Sequence, residues 1–311
     1  MRVLFMGTPE FAAVCLERLT READLDISVV TQTDKPQGRH MILTPSAVKK
    51  TALEHRLPVW QPARLKDGAF EEELKRIDPE VVLVVAYGKI LPPYLLNYPE
   101  YGCINLHGSL LPAFRGAAPM QRQIMAGVRD CGLTTMYMNE GLDTGDMLEK
   151  WSFPLRDEDD FGSVHDRMAQ AGAELLLHTL RLAQQGLLRP EKQDDALASF
   201  APKIEKADCL LDFSRSAREV HNHIRGLSPA PLACTVLHGK SLKIVSSRIE
   251  AEDGEQLRPG LVLGVDRDGV TVACGKGVLR LLAVRPEGKG SMSAADFAKG
   301  RGIAQGDLLG E

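Results

Sequence analysis

The chain has 311 residues, 44% of them hydrophobic and 26% charged, with a formal net charge of −4. These values suit a globular protein of two domains and exclude a global basic field, so a nucleic-acid partner would have to be held by a local basic patch. No window approaches the roughly 18 apolar residues of a membrane span, "MRVLFMGTPEFAAV" does not read as a signal peptide, and six scattered cysteines without a C-x-x-C pair suggest reduced core residues of a cytoplasmic protein.

"RVLFMG" (Arg2–Gly7) reads as a strand, Thr8 as an N-cap and Pro9 as the first residue of a helix with apolar positions at Phe11, Val14, Cys15 and Leu19. "ISVVTQT" is a second strand, and "DKPQGRHMILTPS" after it reads as a polar loop. "VVLVVAYG" (Val81–Gly88) is apolar almost throughout, as a strand covered on both faces requires. "CINLH" ends another strand just before the Gly/Pro-rich "GSLLPAFRGAAP". "LTTMYMNEGLDTGDML" gives strand, acidic Gly-rich loop and strand, and Gly162–Gln185 is a long helix. The alternation predicts an α/β, Rossmann-like, mostly parallel sheet whose ligands bind beyond the carboxyl ends of its strands.

Polar, proline-containing sequence follows. The predicted division is a catalytic domain over 1–188, a linker over 189–206 and a smaller β-barrel domain (OB-like) over 207–311, with "DRDG" and "CGKG" as hairpin turns and one helix near "SAREVHNHIRGL". From residue 207 onward there are 14 Lys and Arg against 13 Asp and Glu, so the excess acid falls on the first part.

Asn105 and His107 are two apart on one strand and share a face. Both side chains can donate to a developing oxyanion, and His can move a proton near neutral pH. The same pair could equally brace a strand end. Asp143 and Asp146 lie in one Gly-rich loop; either could raise and orient an imidazole, or simply cap a turn. There is no G-x-G-x-x-G, Walker motif or G-x-S-x-G elbow. His221 and His223 fall on different faces of a helix, which is not a metal pair, and no metal is expected.

Taken together, "NLHGSLLPAFRGAAP" and "GLDTGDM" resemble the formyltetrahydrofolate-dependent formyltransferases, in which a strand-end Asn, a His two residues later and a loop Asp form the catalytic set. The resemblance assigns these roles to Asn105, His107 and Asp143, and so favours Asp143 over Asp146. The motifs "LFMGTPEFA", "DKPQGR", "PVWQP", "VVAYGKILP" and "GAAPMQR" extend it to the members acting on charged tRNA, over essentially the whole chain. It implies transfer of the formyl group of 10-formyltetrahydrofolate to the α-amine of methionyl-initiator-tRNA by a cytoplasmic, monomeric enzyme that needs no metal. By the same likeness Ser109, Leu110, Leu111 and Pro112 shape the folate pocket, and the β-rich C-terminal domain contacts tRNA. Arg39, with Lys35, Lys240 and Lys243, would meet the tRNA. "HMIL" after Arg39 replaces the lysine-rich stretch of some relatives, which shifts electrostatic capture to those other residues. A formyltransferase for a small amine (an amino sugar or glycinamide ribonucleotide) and a catalytically silent tRNA-binding protein are the competing expectations.

Overall fold

The computed structural model describes residues 1–37, 41–253 and 257–310. In chain order the first part forms β1 (Arg2–Gly7), α1 (Glu10–Leu19), β2 (Asp26–Val30), β3 (Lys35–Gln37), β4 (Ile42–Thr44), α2 (Ala47–Glu54), β5 (Val59–Trp60), α3 (Glu71–Ile77), β6 (Val81–Val85), α4 (Pro93–Leu96), β7 (Cys103–His107), α5 (Pro119–Ala126), β8 (Asp130–Tyr137), β9 (Met147–Pro154) and α6 (Phe161–Gln184). Seven strands make one sheet in the order β5-β2-β1-β6-β7-β8-β9. Pairing is parallel from β5 through to β7, and β8 runs antiparallel to β7. All five residues of β6 are buried, and each such Val or Leu contributes about 1.5–3 kcal/mol relative to exposure. Strand order reverses around β1, which places a crevice at the carboxyl ends of β1 and β6.

Two local readings change. The helix after β1 starts one residue later than expected, with Pro9 as its uncapped N-cap and Glu10 in its first turn. Thr8 is used elsewhere: its hydroxyl donates to Tyr87 O at 3.1 Å, and Gln32 Nε2 reaches the same carbonyl at 2.7 Å. The segment read as a polar loop contains a small antiparallel ribbon, Lys35 opposite Thr44 and Gln37 opposite Ile42. Its β-branched Ile42 and Thr44 suit that extended backbone.

The two compact units interleave along the chain. The first comprises Met1–Gly116, Gly132–Phe153 and His165–Phe200, and the second Ala117–Cys131, Pro154–Val164 and Ala201–Glu311. Thus residues 189–200 belong with the α/β sheet, while α5 belongs with the C-terminal part, where Met125 packs on that unit's core. All six cysteines are free, four of them buried and Cys209 and Cys234 half-buried.

The second unit contains α7 (Ala217–Gly226), β10 (Ala233–Leu237), β11 (Lys240–Ala251), β12 (Val262–Asp266), β13 (Gly269–Ala273), β14 (Val278–Pro286), β15 (Met292–Ser293) and α8 (Ala294–Lys299). The sheet is antiparallel in the order β10-β11-β14-β13-β12, with β15 beside β14. The C-terminal segment bridges its two edges, Val262 N donating to Asp307 O and Gly310 N to Val236 O, each at 2.9 Å, in keeping with the expected barrel. "DRDG" turns β12 into β13 through Asp266 Oδ1, and "CGKG" turns β13 into β14. A capping box of Ser216 and Glu219 starts α7.

Two histidines of α7 are neutral structural groups. His221 Nε2 donates to Asp157 O at 3.0 Å, and His223 Nε2 to Asp208 O at 2.6 Å. Burial pushes both below the ordinary 6.5, although those carbonyls oppose the shift. The unfolded chain therefore binds protons first as pH falls below 6.5, and stability is lost over the interval down to the folded pKa values. Each histidine contributes a slope of up to about 1.4 kcal/mol per pH unit there. Urea unfolding at pH 7 and pH 5.5 should show this loss, and His221→Gln with His223→Gln should flatten it. Equal pH dependence of variant and parent would contradict the assignment.

Candidate active site

The site is set by the direction in which β7 presents its side chains. Ile104 and Leu106 are buried on one face, where Gly172 of α6 lets the helix come close: a Cβ there would stand 2.8 Å from Leu106 Cδ2. Asn105 and His107 consequently share the opposite face at the carboxyl end of the strand. Among the described residues no hydrogen bond ties the Asn105 side chain, leaving its amide available to a ligand.

His107 is only 5% exposed. Its Nε2–H donates to Phe114 O at 3.0 Å, and Nδ1 stands 3.6 Å from Asp143 Oδ2. Burial pushes the imidazole below 6.5, outweighing the Asp143 charge and the Phe114 carbonyl, which both favour the charged form. The ring is thus neutral at pH 7, with Nδ1 as the unprotonated nitrogen facing the carboxylate. The expectation that a neighbouring carboxylate raises the imidazole holds for the pairwise interaction, but desolvation is larger.

Asp143 is held in a strained loop. Its φ is +52°, in the left-handed region, and Oδ2 accepts from Gly116 N at 2.8 Å. Asn139 Oδ1 accepts from Gly141 N and Thr144 Oγ1, both at 2.9 Å, closing the first half of the loop. A Cβ on Gly145 would lie 1.7 Å from Tyr137 O, so no side chain fits there. Asp146, the other carboxylate considered, is exposed, and its carbonyl merely accepts from Tyr137 N.

Two residues the sequence reading missed hold this loop. Gln193 is 6% exposed and donates through Nε2 to Asp143 O at 2.8 Å and Gly145 O at 2.7 Å. Its Oε1 accepts from Nε of the buried Arg115 at 3.0 Å, and Arg115 also pairs with Asp195 at 2.8 Å. Gln193 stands in a polar stretch read as linker, and no local pattern marks it. Only the fold shows it buried.

The other expected residues are more dispersed. Ser109 is fully buried with its hydroxyl on Ala113 O at 2.6 Å within the turn, and Leu111 is buried against Met136 of β8 and Met147 of β9. Leu110 and Pro112 remain half-exposed. Lys35, at the start of the ribbon's first strand, donates to Gln32 Oε1 at 2.7 Å, and Met41, Ile42 and Leu43 further along are at least 65% exposed. Arg39 lies outside the described residues. Lys240 and Lys243 belong to the second unit and, three apart on β11, face opposite sides of that strand, so they do not form one patch. A cavity of about 320 Å³ opens at the ends of β1 and β2, lined by Thr8, Gln32, Lys35, Thr44, Ser46 and Lys50.

Residues 1–180 match the family model described as formyl transferase, and residues 203–302 match that of the formyl transferase C-terminal domain. The chain belongs to the formyl transferase family. Full-length relatives agree. A methionyl-tRNA formyltransferase from Citrifermentans bemidjiense is 46% identical over 311 residues, covering all of this chain and 97% of that protein. One from Bacillus subtilis is 42% identical, covering 99% of this chain and 98% of the relative.

Solved structures share the fold of this formyltransferase at low identity. An N-formyltransferase from Helicobacter canadensis, in complex with folinic acid and dTDP-3-aminofucose, superposes with a TM-score of 0.69 at 15% identity, over 90% of this chain and 98% of that one. HypX from Aquifex aeolicus in complex with tetrahydrofolic acid gives 0.65 at 16%, over 99% of this chain and 48% of that one. No helix among the described residues is long and apolar enough to cross a membrane.

Proposed function

We propose that this formyltransferase moves the formyl group of 10-formyltetrahydrofolate to the free α-amine of methionyl-initiator-tRNA in the cytoplasm. The observation that carries the reading is end-to-end identity of 41–46% with methionyl-tRNA formyltransferases, over a chain that puts Asn105, His107 and Asp143 at one strand end. The amine attacks the formyl carbon as the free base. The carbonyl oxygen becomes anionic, and the Asn105 amide is placed to donate to it. The nitrogen that has attacked must lose a proton, and neutral His107 accepts it at Nδ1. Asp143 favours the resulting imidazolium. The C–N bond to the folate then breaks, and the proton passes to the departing tetrahydrofolate nitrogen, returning His107 to its starting state.

The cavity lined by Lys35 and Lys50 supports an acidic acceptor end arriving at the ends of β1 and β2, and the exposed Met41, Ile42 and Leu43 nearby in sequence offer it an apolar surface. Half-exposed Leu110 and Pro112 are suited to an apolar wall for the pterin. The decisive assay offers purified protein 10-formyltetrahydrofolate with Met-tRNA or with small amines, an amino sugar nucleotide and glycinamide ribonucleotide among them. Formyl-Met-tRNA should accumulate, with the small amines left unreacted. Turnover of a small amine with none on Met-tRNA would sink the reading.

A further inference from the structure

We infer that Gln193 is a positioning residue for Asp143, clamped in turn by Arg115, so that the stretch between the long helix and the second unit sets the geometry of the catalytic loop. The inference rests on the formyl-transfer reading above. Three features carry it. The Gln193 carboxamide is buried and saturated, with both N–H bonds on Asp143 O and Gly145 O and its oxygen on Arg115 Nε. The amide cannot be turned over without setting its oxygen against two carbonyls and its N–H groups against a guanidinium, so its orientation is unique. The two carbonyls flank Thr144, so one side chain pins the loop across the tight turn where Asp143 adopts φ +52°.

Arg115 is well placed to hold the clamp. It is 4% exposed, its backbone N donates to Ser199 O at 2.8 Å, and its guanidinium bridges Gln193 and Asp195. The next residue, Gly116, donates its N–H to Asp143 Oδ2. Asp143 is therefore gripped through its carboxylate by the residue after Arg115 and through its carbonyl by the residue Arg115 holds. Neither grip touches His107 or the reacting atoms, so Gln193 acts only through where it puts the carboxylate.

Gln193→Met keeps the volume and removes every polar contact. Gln193→Glu keeps an acceptor for Arg115 but loses both donors to the loop. Both variants should lower kcat on Met-tRNA by about 100-fold, the scale of an ångström-size misplacement, with KM for folate and tRNA within about threefold of the parent. A loop anchor with no bearing on Asp143 would not move the pH profile. If Asp143 drifts, its charge no longer supports the His107 imidazolium, and the acid limb of kcat shifts to lower pH. Full kcat with an unchanged limb in either soluble variant overturns the inference, as does a loss matched by loss of folded protein in both. An inactive parent enzyme would instead count against the formyl-transfer reading itself.

Discussion

Replacing His107 with alanine is expected to lower kcat for formyl transfer by about 10²–10⁴-fold, the usual worth of a positioned acid–base group. Binding of the folate should change little, because the ring is 5% exposed and spends its Nε2–H on Phe114 O rather than on a ligand. The parent enzyme carries its own check. Burial holds His107 below 6.5, and the mechanism requires the neutral ring, so kcat should fall on the acid side with a midpoint below that value. A midpoint above 6.5, or near-parental turnover by a folded His107→Ala enzyme, would remove His107 from the proton path. Circular dichroism and folate titration distinguish a lost base from a lost fold.

The second large effect belongs to Asp143→Asn. The substitution preserves shape, and an amide oxygen can still accept from Gly116 N, now 2.8 Å from Oδ2. What disappears is the negative charge 3.6 Å from His107 Nδ1. The imidazolium formed when the amine is deprotonated then sits buried with no counter-charge, and kcat should drop about 100-fold or more. The sign on pH follows from the same interaction. Asp143 raises the His107 pKa, so its neutralisation moves the acid limb further down. Steady-state rates between pH 5 and 8 would show both changes. An unchanged limb would mean that the carboxylate does not sense the ring, and the pairing would have to be abandoned even if activity fell.

These two substitutions and the Gln193 variants separate three kinds of contribution. In the proposed mechanism His107 moves a proton, Asp143 supplies a charge, and Gln193 holds the charge in place. The expected signatures differ accordingly: His107→Ala loses the titrating group, Asp143→Asn shifts it, and Gln193→Met shifts it while leaving the carboxylate intact.

Period and composition alone determined much of this protein. The apolar runs Arg2–Gly7, Val81–Val85 and Cys103–His107 read as strands covered by helices, and their alternation with amphipathic segments pointed to a mostly parallel sheet. The two-residue spacing of Asn105 and His107 placed them on one face, and the quoted motifs carried the family. The balance of forces on His107 was beyond the sequence, because desolvation depends on what the whole fold packs around the ring. So was the choice between Asp143 and Asp146 on spacing alone. The tertiary structure exposes Asp146 and turns Asp143 toward the imidazole. Local propensity misplaced Thr8, whose hydroxyl found Tyr87 O on a neighbouring strand end, and it hid Gln193, a polar residue in a polar stretch. That glutamine becomes part of the site only because residues 189–200 fold back on the first unit, where a buried amide must find partners for all its polar atoms and finds them on the loop that carries Asp143.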